Sequence, residues 1–405
     1  MARELKDWID GYLEYTKNSE PPLSYHNWCA ASVVAGALQR KVKLVWGFEI
    51  IYPNMFVILV GHSGRTRKGV ALGIAKSLIA QVPGVHVAPE ASTREAIIGA
   101  MKRASNNYQD EDGVISMHCS LTAFSEELAV FLGQSDIKLL ANLTDWYDSK
   151  DDWAYETIGR GRDALQGLCF NLAGATAPDW LQSMLPQEAV GGGFTSRVIF
   201  VVEERKGKTV LKHQLTDAEK DLGAMLVRDL ERISQLKGEY SFDVGGEAAY
   251  TNWYREQDSA LTEGHPAVED HRFSGYCERR ATHLRKLMLI MSASRGDDML
   301  ITKMDFDRGV ALLKLAERNM HKTFGGLGKA PHSDITDRIF QYIRGVGITT
   351  RSTLMAKFFR DLDPDTLRGI EEQADQMKVL EIKLLADKRD KTYRWIGPKD
   401  SDAKH

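Results

Sequence analysis

The stretch that decides the fold is residues 54–76, NMFVILVGHSGRTRKGVALGIAK. It opens with an apolar run from Met55 to Val60, rich in β-branched residues, which reads as a buried parallel strand. Gly61, His62, Ser63, Gly64, Arg65, Thr66, Arg67, Lys68 and Gly69 follow, and Val70, Ala71, Leu72, Ile74 and Ala75 continue as a helix. Strand, basic glycine-bearing turn and helix form the context in which a phosphate-cradling loop works. Small residues let backbone N–H groups approach phosphate, and the helix N-terminus adds its positive dipole end. A lysine just ahead of the helix can reach the outer phosphates. The standard spacing is Gly, four residues, Gly, Lys, then Ser or Thr. Here Lys68 lies one position too far from Gly61, Arg67 stands where the second Gly belongs, and Gly69 replaces the residue whose hydroxyl would hold Mg²⁺. The bland alternative is a Gly-rich turn with exposed basic residues.

A second strand, Leu121 to Phe124, runs directly into Ser125-Glu126-Glu127-Leu128. A phosphate-loop enzyme needs carboxylates at such a strand end. One orients Mg²⁺ and its waters, and its neighbour polarises the attacking water. Acids at a helix N-terminus are also favoured by the dipole alone, so the proximity to the glycine turn decides for function. A third strand, Leu168 to Leu172, ends in AGATAP, where Thr176 could sense a γ-phosphate or hold water. Gly191 to Gly193 precede Arg197, which opens a fourth strand, Val198 to Val202. An arginine there is a structural ion pair or completes a phosphate site, in cis or from the next subunit of a ring. The turn Gly159-Arg160-Gly161-Arg162 is a candidate single-stranded DNA contact, with Lys150 joining it; glycines free the tip and arginines bind phosphates without reading bases. Its alternative is pairing with Asp148, Asp151 and Asp152 on an ordinary hairpin.

Around these motifs, residues 1–20 and 24–40 read as helices, 42–46 and 48–52 as a hairpin about Gly47, and 85–88 as a short strand. Ser92 and Glu95 have capping-box spacing before a helix over 93–104, and 105–113 is polar and reads as a loop. Residues 216–327 are mostly helical, and 276–292 read as a basic amphipathic helix carrying Arg279, Arg280, His283 and Lys286. His283 is expected to satisfy a carboxylate rather than to catalyse. Past a boundary near Ala330, three short helices and a hairpin give the layout of a winged helix, with the wing at Lys388, Arg389 and Lys391. Its third helix is acidic at Asp365, Glu371, Glu372 and Asp375, which argues against ordinary groove reading and makes a protein–protein role comparable. The tail, 398–405, is polar and reads as disordered.

With 53 Lys and Arg against 56 Asp and Glu, the net charge is -3, so affinity for nucleic acid must come from local patches. The 405 residues suffice for two or three domains. The 4 cysteines, Cys29, Cys119, Cys169 and Cys277, lack metal-ligand spacing and suit a reducing compartment. No signal peptide or bilayer-length apolar run is visible. A cytoplasmic protein is expected, in the host cytoplasm if phage-encoded.

Residues 5–325 resemble a family of phage and mobile-element P-loop ATPases, found beside or fused to primases, described as helicase-like and named as a domain of unknown function. The resemblance rests on SYHNWCAASVVAGALQRKV, IYPNMFVILVGHSGRTRKGVAL, VAPEASTREAI, the SEEL motif, NLAGATAP, GGGFTSRVIFV and RRATHLRKL. Members show a Gly-x-Ser-Gly…Arg-Lys-Gly loop, so the offset spacing looks like the family's own version. The resemblance implies an α/β P-loop NTPase core, AAA+/RecA-like, over 54–210. An N-terminal helical region (1–53), a helical lid (211–329) and a C-terminal winged helix (333–397) would flank it. It implies ATP and Mg²⁺, with Gly61, Ser63, Gly64, Arg67, Lys68 and Gly69 cradling the triphosphate. Glu126 would serve the metal and Glu127 would be the catalytic carboxylate, a register in which Asp is commoner first. Thr176 would be a polar sensor, Arg197 a trans-acting finger, and Arg279, Arg280 and Lys286 a second sensor. The expected activity is that of a replication helicase forming a homo-oligomeric ring, a hexamer, on single-stranded DNA, with primase or other replication proteins as partners. The rivals are an ATPase that loads or remodels replication or recombination proteins, and a non-hydrolysing winged-helix DNA-binding regulator.

Overall fold

Phe56–Val60, here β1, is buried at every residue, as its unbroken apolar run requires. It is paired on both edges, so both its faces and both its edges are lost to water. With β2 (Ser105–Gln109), β3 (Ile115–Ser125), β4 (Leu168–Thr176) and β5 (Val198–Val202) it makes a five-stranded sheet in the order β2-β3-β4-β1-β5. β3, β4, β1 and β5 run parallel, and β2 is an antiparallel edge. The computed structural model describes residues 3–89, 93–109, 113–133, 137–157, 161–185, 189, 191–212, 214–324, 333–359, 361–385 and 390–397. The chain is mixed α/β and divides into two compact units, Met1–Gly325 and Gly326–His405.

The register fixes where the strands end. Val60 lies opposite Thr176 and Val202, and Ser125 lies opposite Gly174. The Gly61 amide donates to the Thr176 carbonyl at 3.2 Å, the Glu203 amide to the Val60 carbonyl at 3.0 Å, and the Tyr25 hydroxyl to the same carbonyl at 2.7 Å. The carboxyl ends of the parallel strands therefore form one rim, the place where open α/β sheets bind ligands.

Beneath the sheet, α1 (Trp8–Thr16) leads to α2 (Leu23–Leu38). The spacing of Trp28, Ala31, Val34 and Leu38 suggests a one-sided helix, but α2 is buried almost all round. Its small residues explain why. A Cβ on Gly36 would lie 2.7 Å from both Ile79 Cδ1 and Thr122 Oγ1, so α2 touches both the sheet and α3 (Lys68–Ile79) through a glycine. Asn171 ties the layers together, accepting from the Met55 amide at 2.9 Å and donating to the Ser32 carbonyl at 3.0 Å.

The helices Asp217–Ile233, Val244–Thr262, Ser274–Arg295 and Lys303–Met320 belong to the same unit as the sheet, as does the N-terminal region. Trp8 Nε1 donates to the Leu226 carbonyl at 2.8 Å, and Asp229 accepts from the amides of Glu4 and Leu5. Ser274–Arg295 departs from the expected amphipathic surface helix, since most of it is buried, cations included. Arg280 makes a two-point ion pair with Glu317, Nε–Oε1 2.6 Å and Nη2–Oε2 2.8 Å, with the Tyr276 hydroxyl on the same carboxylate. His283 is satisfied by the Tyr147 hydroxyl and the Ser196 carbonyl, a phenol and a carbonyl rather than the expected carboxylate. Burial draws its pKa down to about 3.

Three other expectations shift. Residues 105–109 pair as the polar edge strand β2 instead of a loop. Residues 85–88 supply one bridge, Val87 to Thr122, rather than a strand. The cap of Arg94–Arg103 is Thr93, whose side chain accepts from the Ala96 amide; Ser92 lies outside the described residues. The hairpin about Gly47 forms as expected, with Gly47 at φ 61°. All four cysteines are buried and free.

The second unit holds helices Ser333–Val346, Arg351–Lys357 and Pro364–Met377 and a three-stranded antiparallel sheet. The added strand, Ile348–Thr350, pairs with Lys391–Trp395 and was not foreseen. Ile339, Ile343, Leu354, Leu367, Ile370 and Tyr393 form its core. Residues 398–405 lie outside the described residues.

The Arg280–Glu317 pair yields a prediction. Arg280→Ala leaves a buried carboxylate uncompensated and costs about 3–5 kcal/mol in chemical denaturation. A loss under about 1 kcal/mol would show that the pair is dispensable to the fold.

Candidate functional site

The rim gathers the glycine turn with Lys68, the acids Glu126 and Glu127, and Thr176. Gly61 leaves β1 where no side chain fits, since a Cβ there would lie 2.5 Å from Thr66 Oγ1 and 2.8 Å from the Glu203 carbonyl. Ser63 and Gly64 are exposed at the turn, and Gly64 takes φ 68°. Arg67, the residue standing where the standard spacing has glycine, sits at φ 58° and caps α3. Left-handed backbone is what glycine supplies cheaply, so the loop keeps the conformation without the residue. Its side chain faces Glu20, Nε–Oε2 2.7 Å, and not the turn. Hydrogen bonds from Lys206, the Val210 amide and Arg67 draw the Glu20 pKa down to about 2.

Lys68 opens α3 half-buried, and its Nζ donates to the Gly61 carbonyl, which holds the ammonium across the turn. Burial draws its pKa below the ordinary lysine value, and the Glu127 carboxylate opposes that shift. Glu126 lies over the first turns of α3. A Cβ on Gly69 would be 2.8 Å from Glu126 Oε2, and one on Gly73 would be 3.5 Å from Oε1. The glycine that replaces the expected Ser or Thr is therefore what admits the longer Glu126 carboxylate. Ser125 Oγ donates to the Glu127 carbonyl at 3.0 Å and fixes the turn between the two acids. Thr176 ends β4 beside Val60, buried, with its hydroxyl 3.3 Å from the Ala177 carbonyl.

The remaining candidates lie elsewhere. Arg197 enters β5 at the end opposite the rim, since Val198 pairs with Phe56. The four steps to Val202 span about 13 Å at the usual rise. It is buried, with Nη2 on Asp148 Oδ2 at 2.8 Å and Nη1 on the Gly193 carbonyl at 2.9 Å. Arg279 and Arg280 are likewise not brought to Lys68. Arg280 is consumed by Glu317, and Arg279 faces Asp148 and Lys286 across a cavity. Among the DNA candidates, Lys150 pairs with Asp145 and Lys391 with Glu371. Arg160, Lys388 and Arg389 lie outside the described residues. Arg162 falls on one strand of an antiparallel hairpin, Asp152–Thr157 with Gly161–Gln166, opposite Glu156.

Chemically, the rim offers backbone amides at a helix N-terminus, the Lys68 ammonium, and two exposed carboxylates. Among the described residues no group of three or more metal-ligating side chains occurs. A cation held here would take Glu126 and draw its other ligands from substrate and water, as Mg²⁺ commonly does.

Gly69→Ala tests the Glu126 contact. The new methyl displaces only the end of a flexible side chain, so the fold keeps its stability within about 1 kcal/mol. Thermal unfolding measures this, and a loss above about 2 kcal/mol would mean that Glu126 is locked in place by the fold. These geometric facts carry the site alone, since no family model matches the chain and no curated protein matches it.

Proposed function

We propose that the chain is an ATP-dependent DNA replication helicase of the phage type, a ring-forming P-loop ATPase that moves on single-stranded DNA. The observation that carries the ATPase reading is the convergence at one rim of Lys68, Glu126 and Glu127. Lys68 opens α3 after the turn at the end of β1, Glu127 stands just past the end of β3, and Glu126 lies against Gly69. Support also comes from β4 standing between β1, which bears the loop, and β3, which bears the acids, so that both reach the carboxyl-end rim of one parallel sheet.

In this reading Ser63, Gly64 and Gly69 present amides to the β- and γ-phosphates. Gly61, whose amide is taken by the Thr176 carbonyl, shapes the start of the turn, and Lys68 exchanges its contact with the Gly61 carbonyl for a phosphate oxygen. Arg67 contributes backbone alone, because Glu20 holds its side chain. Glu126 orients Mg²⁺, which when bound screens the phosphate charges. Glu127 accepts a hydrogen bond from the attacking water, and Thr176 is the polar group nearest the end of β4. Lys68 offsets the charge that spreads over the transferring phosphoryl group. Arg197 lies at the far end of β5, buried on Asp148, so a role in hydrolysis would be at the nucleotide of another copy and would require its release from Asp148. The homo-oligomeric ring, a hexamer, is proposed on the resemblance, and primase or other replication proteins would be its partners. The second unit serves as a winged helix, with its basic turn on DNA backbone or on a partner protein. No helix among the described residues is long and apolar enough to cross a membrane.

One observation favours a second reading, an ATPase that loads or remodels replication or recombination proteins without unwinding. Lys150 and Lys391, two of the proposed DNA contacts, are each engaged by a carboxylate. An unwinding assay on forked DNA separates the two.

Lys68→Ala is expected to abolish ATP hydrolysis with the fold intact. Glu127→Gln is expected to keep nucleotide binding and lose turnover by about two decades or more, as on removal of a water-orienting base. Gly69→Ala, neutral to the fold, lowers Mg²⁺-dependent turnover by moving Glu126. Phosphate release at saturating ATP measures all three. Wild-type turnover in Lys68→Ala or Glu127→Gln would contradict the assignment, and a trapped Glu126→Gln beside a benign Glu127→Gln would shift the pair by one.

A further inference from the structure

The opposite end of the sheet carries a second concentration of charge beside the Arg197–Asp148 pair. A cavity of about 350 Å³ opens there between the strand Glu49–Ile51, the end of the helix Ile137–Tyr147, and one face of Ser274–Arg295. Arg279, Thr282 and Lys286 line it at helical spacing. Its apolar wall includes Ile50 and Tyr147.

The charges do not balance. Two carboxylates line the cavity, Glu49 and Asp148, and each already has an arginine. Arg285 Nη1 lies 3.2 Å from Glu49 Oε2, and Arg197 Nη2 lies 2.8 Å from Asp148 Oδ2. Arg279 and Lys286 make no ion pair among the described residues, although the Asp148 carboxylate favours the charged form of Lys286. Arg279 is half-buried and has no side-chain hydrogen bond or ion pair among the described residues, unlike Arg280, Arg285 and Arg197 around it. Lys286 is buried with neutral acceptors only. Its Nζ donates to the Tyr52 carbonyl at 2.9 Å and to Asn54 Oδ1 at 2.7 Å, and it stands 4.4 Å from the centre of the Tyr147 ring. Burial pulls its pKa down to about 7. Burial favours the neutral amine, and an anion entering the cavity would favour the ammonium. A guanidinium with free donors beside it matches a phosphate oxygen pair.

We infer that this cavity is a second phosphate site, taking a phosphate-bearing anion between Arg279 and Lys286. It is separate from the loop of Lys68, because Lys286 bonds to Asn54 ahead of β1 and Gly61 follows β1. The inference rests on the charges of the cavity and does not require the loop to bind ATP. The anion is a free small molecule, such as pyrophosphate, or the phosphate tail of a nucleotide held by a second copy of the chain.

The test starts from Lys68→Ala, which disables the loop. Pyrophosphate is titrated calorimetrically into that dilute chain and into the same chain carrying Arg279→Gln or Lys286→Met. The parent is expected to bind, and each added substitution to weaken binding at least tenfold. Arg279 is half-exposed and unpaired, so its glutamine variant is expected to fold, and circular dichroism checks this. In a second arm, ATP affinity is measured for the Lys68-intact chain and its Arg279→Gln variant at concentrations where copies associate. A tenfold loss confined to the second arm identifies the nucleotide of a second copy and keeps the site. Arg279→Gln without effect in both arms overturns the inference. Inert nucleotide binding at an intact loop would sink the ATPase reading and leave the first arm unaffected.

Discussion

The pairing of β1 on both edges is the constraint on which the rest depends. A strand of five residues with no exposed face cannot slip, because any shift would bury the polar turn that follows it. Its register with β4 and β5 sets Val60, Thr176 and Val202 on one line. The turn after Val60 therefore starts at the rim, and α3 starts where the turn ends. The acids after β3 arrive at the same rim because Ser125 lies opposite Gly174 in β4. Lys68, Glu126 and Glu127 meet through strand register, although 58 residues (126 minus 68) separate Lys68 from Glu126 in the chain.

The other end of the sheet is organised by buried polar groups. Asn54 donates to the carbonyls of Tyr147 and Phe170 and accepts from Lys286 and Ser149. Such a network stabilises only when each member is satisfied. Around it, Arg197 pairs with Asp148, and on the buried helix Ser274–Arg295 the cations Arg280, Arg285 and Arg295 pair with Glu317, Glu49 and Asp305. The two ends thus differ in kind. The rim exposes amides and acids toward solvent, and the far end encloses cations.

Much of this was legible in the sequence where a pattern was local. The run from Met55 to Val60 announced a buried strand, and the basic glycine turn announced the helix start. The offset spacing of the turn reads differently once the backbone is known. Arg67 keeps the left-handed conformation expected of glycine, and Gly69 makes room for Glu126, a contact between motifs that no spacing rule contains. Residues 105–109 escaped notice because an exposed edge strand needs no apolar alternation. Ser274–Arg295 was misread because its charges are matched by residues distant in sequence, such as Glu317 and Glu49. The roles of Arg279 and Arg280 could not be separated from a shared motif, since one is paired and its neighbour is not.

The central claim is that nucleotide binds at the rim formed by β1, β3 and β4. Amide hydrogen exchange of the intact chain, with and without ATP and Mg²⁺, tests it most directly, because exchange reports local opening segment by segment. The account predicts slowed exchange at residues 61–69 and at the start of the helix after Glu127, with the unit beyond residue 326 unchanged at concentrations where copies stay apart. Unaltered exchange at 61–69 under saturating ATP, or protection confined to other segments, would contradict it.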